Sequence, residues 1–197
     1  MNPIVLQPGD ALLVVDMQND FVSGSLAVPG AGAIVPTLNR YIAAFVRQSL
    51  PVFATRDWHP PDHCSFRERG GTWPTHCVAG TEGAQFVPGL ALPADAIVVS
   101  KATAVDREAY STFSGTDLDR QLRARGIGRI FIGGLATDYC VVETVRDARQ
   151  LGYAVCVLGD ATRAVNLHPG DGAKAADAMR RAGASTIELA ALGAAAA

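Results

Sequence analysis

The sequence predicts an α/β fold: a mostly parallel sheet of about six strands in a three-layer α/β/α arrangement. Three observations carry this. Short apolar runs rich in β-branched residues recur along the 197 residues, each too short for a helix and lacking the alternation of a half-buried strand. Segments with helical apolar spacing lie between them. The two signals alternate, as they do when parallel strands are joined by helical crossovers.

The runs are Ala11 to Val15, Val52 to Thr55, Ala96 to Val99, Ile130 to Ile132 and Ala154 to Leu158, with Ser185 to Leu189 a weaker sixth. Ile34, Leu38, Ile42, Phe45 and Val46 share one helical stripe, which must end before Pro51. Leu118, Leu122 and Ile127 predict a short helix stopped at Gly126. Val141, Val145, Ala148 and Leu151 form a further stripe closed by Gly152, and Ala175 to Ala182 makes a last helix stopped at Gly183. The tail Ala190 to Ala197 reads as a fraying helix end. Residues 59–92 break the rhythm with Pro, Gly, Trp and His and no clean period; an irregular insert of this length in a compact domain is usually functional. With no repeat and no linker, residues 1–197 read as one domain.

Composition removes several function classes. Hydrophobic residues make up 49% and charged residues 18%, which permits a buried core and excludes a disordered chain. A net charge of −2 gives no electrostatic case for nucleic acid or an acidic membrane surface. No apolar run approaches the roughly 18 residues of a membrane span, and Met1-Asn2-Pro3 opens no secretory signal. Four cysteines are too few for a disulfide scaffold, so reduced thiols and a cytoplasmic setting are expected.

Reactive residues follow the strands. The first run ends in Asp16, the second in Thr55-Arg56-Asp57, the third in Ser100-Lys101; the fourth leads through Gly133-Gly134 to Cys140. Ligands of open parallel sheets bind beyond the carboxyl ends of strands, so these side chains point to one crevice. Cys140 has the best nucleophile context. Thr137 or Asp138 is expected to cap a helix with Cys140 in its first turn, where partial positive charge depresses a thiol pKa and N–H groups can hold an oxyanion. Cys156, inside an apolar run, fits a core cysteine instead. Asp57, His59 and His76 form a reasonable divalent-metal set with open positions. His63 is a candidate extra ligand or a partner to one. Cys64 and Cys77 form no C-x-x-C pair and are assigned to packing. Phe21 and Trp73, in loops beside these polar groups, suit a flat apolar slot for an aromatic ring. No G-x-G-x-x-G follows the first strand, which argues against a dinucleotide site.

The chain resembles the nicotinamidases of the isochorismatase-like cysteine hydrolase superfamily. The resemblance rests on Asp16-Met-Gln-Asn-Asp-Phe21, Asp57-Trp-His-Pro-Pro-Asp-His-Cys-Ser-Phe66, Trp73-Pro-Thr-His-Cys-Val-Ala-Gly-Thr81, Lys101 with Tyr110-Ser-Thr-Phe113, and Gly133-Gly-Leu-Ala-Thr-Asp-Tyr-Cys-Val141. It spans about Asp10 to Leu189 and implies an isochorismatase-like, Rossmann-like fold. It also implies a catalytic triad of Asp16, Lys101 and Cys140, and one divalent metal (zinc first, manganese or iron as alternatives) on Asp57, His59 and His76. A cis peptide before Ala136 and an oxyanion hole from the N–H groups of Ala136 and Cys140 are further implications. Phe21 and Trp73 match residues that sandwich a pyridine ring, Ala136 and Tyr139 line the pocket, and Tyr139 stands where some members carry histidine. Ser65 could support the metal shell through a water.

The function so implied is hydrolysis of nicotinamide to nicotinate and ammonia through a thioester (EC 3.5.1.19), with pyrazinamide also accepted, in NAD salvage. The partner is a small aromatic amide rather than nucleic acid or membrane, and self-association stays open. The alternative is a related cysteine amidohydrolase acting on an N-carbamoyl or ureido substrate, which would keep the triad but need neither metal nor aromatic slot. An isochorismatase-type vinyl ether hydrolase would not need the cysteine, and a silent scaffold would not need the triad.

Overall fold

The structure, a computed structural model, describes residues 3–193. Six strands form one sheet in the order β3-β2-β1-β4-β5-β6, every neighbouring pair parallel. They are β1 (Asp10–Val15), β2 (Val52–Asp57), β3 (Ile97–Lys101), β4 (Arg129–Leu135), β5 (Ala154–Arg163) and β6 (Ser185–Ile187). All six apolar runs are therefore strands. β5 reaches five residues beyond its run, and the register against β4 shifts between Ile132 and Gly134.

Two cores explain why the central strands are apolar throughout. Leu12 and Val14 of β1 pack towards helix α2 (Val35–Arg47), whereas Ala11, Leu13 and Val15 pack towards α3 (Leu118–Ala124), α4 (Val142–Gln150) and α5 (Asp171–Arg181). Successive strand residues face opposite sides, so a strand covered on both must be apolar at every position. On α2 the buried stripe is Leu38, Tyr41, Ile42 and Phe45. The predicted stripe included Val46, but this residue rotates to the rim and is exposed. Leu151 lies just past the end of α4 and is also exposed.

Three further details differ from the sequence reading. Phe21 sits on a short helix, α1 (Asn19–Val22), and not in a loop. Cys140 lies in a π-helical turn, Thr137–Val141, that leads into α4. Of the alanine-rich tail, Leu189–Ala191 forms a 3₁₀ turn and residues 194–197 lie outside the described residues. Between β2 and β3, residues 59–92 hold a 3₁₀ turn at Arg67–Arg69 and isolated bridges such as His59 with Val78.

Glycine is required at the last β1–β4 pair, Val15 with Gly134. At Gly134 (φ +114°) a Cβ would lie 2.1 Å from the Val15 carbonyl oxygen, so no side chain fits between β1 and β4 there.

Candidate active site

From β1 the chain builds outward to β2 and β3, then returns to place β4 on β1's other side. The reversal makes the β1–β4 boundary the topological switch point, the position where such sheets open a crevice. Asp16 follows β1 there with φ +51°, a left-handed conformation that costs energy for a residue with a Cβ. Asp57 and Lys101 end β2 and β3 as directly paired residues. The turn carrying Cys140 follows β4.

These four side chains meet. Lys101 Nζ lies 3.0 Å from Asp16 Oδ2 and forms an ion pair with Asp57 Oδ1. It also reaches the Ala109 carbonyl at 3.2 Å and Cys140 Sγ at 3.5 Å. Carboxylate oxygens of Asp16 and Asp57 and the Cys140 sulfur all lie within 4.8 Å of one another. Thr55 Oγ1 donates to Asp16 Oδ1 at 2.8 Å. All of these residues are buried.

Burial pushes the Asp16 carboxyl up; Lys101 opposes this and Asp57 adds to it, leaving a value of about 6. Burial also acts against the Asp57 carboxylate, but Lys101 and His59 outweigh it and hold Asp57 below the usual range. Burial works against the Lys101 ammonium too, yet Asp16 and Asp57 hold its pKa well above that of an ordinary lysine.

Cys140 departs from its sequence-based expectation. Burial drives its pKa well above the ordinary thiol value; Lys101 pulls it down, but Asp16 and Asp57 push it up again. Desolvation leads and the two carboxylates add to it, so the resting group is a thiol facing a carboxylate. Neither predicted cap forms. Asp138 accepts the N–H groups of Val165 and Asn166 instead, and the Thr137 hydroxyl bonds that of Thr162. The Leu135–Ala136 peptide bond is cis.

One oxygen of Asp57 and one nitrogen each of His59 and His76 also lie within 4.8 Å of one another. Both imidazoles are held in the tautomer that suits a ligand. His59 Nδ1 donates to the His76 carbonyl at 3.0 Å, and His76 Nδ1 donates to the Pro74 carbonyl at 2.8 Å. Each Nε2 is left with its lone pair, and a backbone partner on the opposite nitrogen is the usual support of a metal-binding histidine. Burial lowers the His59 pKa to about 4 despite Asp57, which keeps the ring neutral. A carboxylate and two imidazoles fit a divalent transition metal.

His63 is differently placed. Nε2 meets the Arg107 carbonyl at 3.0 Å and therefore donates; Nδ1 then accepts from Ser65 Oγ at 2.8 Å. Both nitrogens are engaged by protein, so His63 packs beside His59 (ring centroids 4.4 Å apart) with no free lone pair for an ion. Ser65 spends its hydroxyl proton on this ring.

A cavity of about 460 Å³, counting its open mouth, lies above these groups, and Phe21, Asp57, Trp73, His76, Tyr139 and Cys140 contribute to its lining. Ala136 lines it as well. The Phe21 ring lies 5.5 Å from that of His76, and the Trp73 and Tyr139 rings meet edge to face at 5.1 Å. Trp73 Nε1 donates to the Tyr110 hydroxyl at 3.0 Å. Cys64, Cys77 and Cys156 are free thiols, and neither Cys77 nor Cys156 lines this cavity.

A profile of the isochorismatase domain matches residues 10–191. The chain belongs to the isochorismatase family. Within that family it is 42% identical over 205 residues to the nicotinamidase of Escherichia coli K12, covering 93% of this chain and 96% of that protein. It is 41% identical over 165 residues to the nicotinamidase/pyrazinamidase of Mycobacterium tuberculosis, covering 79% and 87%. Among solved structures, the pyrazinamidase of Pyrococcus horikoshii in complex with zinc superposes with a TM-score of 0.89 at 48% identity, covering 92% of this chain and all of that one. The family match runs from the first residue of β1 to the last 3₁₀ turn of the fold just described. No helix among the described residues is long and apolar enough to cross a membrane.

The sequence reading gave no role to Gln18, Thr55, Glu108 or Tyr110. Thr55 stands two residues before Asp57 on β2, and a β-branched residue in an apolar run reads simply as strand. Glu108 lines the cavity with its carboxylate near His59 and His63, on a stretch without periodicity or motif.

Proposed function

We infer that this chain is a nicotinamide amidohydrolase, converting nicotinamide and water to nicotinate and ammonia, with pyrazinamide as a second substrate. The observation that carries the reading is the joint placement of Cys140, Asp16 and Lys101 at an aromatic-lined cavity, with Asp57 and His76 also in its lining. A cysteine hydrolase for an N-carbamoyl or ureido substrate would have no use for the two histidines or the facing aromatic rings. Residues 1–197 act as one hydrolase domain, with residues 59–92 supplying the metal and ring-binding wall.

In the assigned roles, Asp16 takes the Cys140 proton as sulfur attacks the carboxamide carbon. Sulfur–carbon bonding opens the carbonyl, and the N–H groups of Ala136 and Cys140 receive the oxyanion. Asp16 returns the proton to nitrogen, the carbon–nitrogen bond breaks and ammonia leaves a thioester. Water then adds, giving one proton to Asp16 and its hydroxyl to the acyl carbon; the carbon–sulfur bond breaks, sulfur recovers the proton from Asp16, and the acid departs as nicotinate, its own proton passing to the released ammonia. Lys101 steadies the negative charge that passes between Asp16 and sulfur. Asp57, His59 and His76 would hold one divalent ion, with zinc first in order and manganese or iron as alternatives, which would supply Lewis acidity to the pyridine nitrogen or to the hydrolytic water. Phe21 and Trp73 flank the ring and Tyr139 closes the wall. The setting is cytoplasmic NAD salvage, with a small amide as partner.

The test is ammonia release from nicotinamide, pyrazinamide and an N-carbamoyl amino acid, each with and without chelator. The reading expects turnover of the two aromatic amides and its loss on metal removal. Turnover confined to the N-carbamoyl compound, indifferent to chelator, would overturn it.

A further inference from the structure

Gln18 is wholly buried and its carboxamide holds both backbone polar groups of Asp57. The Asp57 N–H donates to Gln18 Oε1 at 2.8 Å, and Gln18 Nε2 donates to the Asp57 carbonyl at 2.8 Å. The second Nε2 hydrogen goes to the Ala84 carbonyl at 2.9 Å. The position of these bonds in the sheet explains them. The β1–β2 ladder runs from Leu12 with Val52 to Val14 with Ala54, and Asp16 adds one bond to the Thr55 carbonyl at 3.2 Å. Beyond that β1 turns away, while β2 continues to Asp57. A carboxamide has the same donor and acceptor as a peptide group. Gln18 therefore supplies the rung that β1 no longer offers.

We propose that Gln18 is a positioning residue for the metal-binding carboxylate: its side chain completes the β1–β2 ladder at Asp57, fixes that backbone against the insert at Ala84, and thereby sets metal affinity. The proposal rests on the reading of Asp57 as a ligand. Asp57 ends its strand, and both of its own backbone polar groups go to Gln18; on the β3 side the hold comes from the next residue, whose N–H (Trp58) reaches the Lys101 carbonyl at 3.0 Å. The same side chain links two regions of the site, since Asp16 lies two residues earlier and Ala84 belongs to the segment that carries His76.

The experiment measures zinc(II) affinity by competition with a chromophoric chelator, on full-length protein stripped of metal, together with thermal unfolding of the same samples. Four variants are compared with the parent: Gln18→Met, close in shape but without donor or acceptor; Gln18→Asn, which keeps the amide one methylene short; Asp57→Asn; and Tyr41→Phe. The last removes a hydrogen bond that involves none of the site residues, from the buried Tyr41 on α2 to Asp160 on β5 (2.9 Å), and controls for general destabilisation. Expected is a loss of zinc affinity of about 10- to 100-fold in Gln18→Met, the range for groups that orient a ligand, with parent affinity in Tyr41→Phe. Gln18→Asn gives the same reading where Gln18→Met does not accumulate. Parent-like affinity in the Gln18 variants, with affinity lost in Asp57→Asn, overturns the proposal alone. Parent-like affinity in Asp57→Asn overturns the ligand reading beneath it.

Discussion

The Lys101 ammonium stands 3.0 Å from Asp16 Oδ2, with both side chains shut off from water. It also pairs with Asp57, so one buried cation is shared by two buried carboxylates. Removing one partner of a buried ion pair leaves uncompensated charge and costs about 3–5 kcal/mol. Lys101→Met is expected to lose stability in this range at neutral pH and to lose turnover. The two orphaned carboxylates will then ionise reluctantly, so the folded state binds protons more tightly than the unfolded chain does. The stability gap to the parent should narrow as pH falls. Urea unfolding at pH 7.5 and pH 5.5 checks this; a gap of constant size would contradict it.

Asp16 must be ionised to accept the thiol proton, and its pKa stands at about 6. Turnover should therefore fall as pH drops through about 6. For stability the sign is different: a carboxyl raised above its ordinary 3.8 favours folding fully below that value, and the contribution is lost as pH rises through about 6. Asp57, held low, acts in the reverse direction. Thr55 donates to Asp16 and favours its charged form. Thr55→Val should shift the acid limb of kcat/KM to higher pH, and a shift to lower pH would show that the hydroxyl does not stabilise the ionised carboxylate.

The strands were legible because a parallel sheet covered on both faces demands unbroken apolar runs, which need no partner to be recognised. Asp16, Asp57, Lys101 and Cys140 were legible because each closes or follows such a run. What escaped depends on pairing between distant segments. Gln18 matters through the backbone of Asp57, and Thr55 through a carboxylate on the neighbouring strand. The thiol of Cys140 was misjudged for a related reason: local position at a helix start favours the anion, but burial against two carboxylates brought in from β1 and β2 dominates. Thr137 and Asp138 likewise looked like caps until partners from β5 and the loop beyond it claimed their side chains.

Cys140 touches the carboxylate–lysine cluster through its sulfur alone in the contacts above, so Cys140→Ala removes the nucleophile and leaves the ion pairs intact. Turnover of nicotinamide should drop by at least about a thousandfold, in line with loss of a nucleophile that acts as part of a unit. Thermal unfolding should stay cooperative, because replacing a small buried side chain leaves only a small void. Ammonia release and calorimetry on the same sample test both halves. Parent-like ammonia release would rule out the covalent route.

Trp73 offers a second contrast, between binding and chemistry. Its ring lines the cavity, meets Tyr139 edge to face, and is oriented by the bond from its indole nitrogen to the Tyr110 hydroxyl. None of these contacts reaches the lysine or the sulfur. Trp73→Ala should raise KM for nicotinamide by about 10- to 100-fold, combining lost apolar contact with a lost aromatic pair, and lower kcat less. Tyr110→Phe keeps the ring and withdraws only the acceptor, so the indole loses its orientation while the wall stays apolar. A smaller rise, about threefold to tenfold for one neutral hydrogen bond, is expected. Steady-state kinetics on both variants separate the cases: an effect of Trp73→Ala confined to kcat would mean that the indole serves the reacting carbon and not the ring.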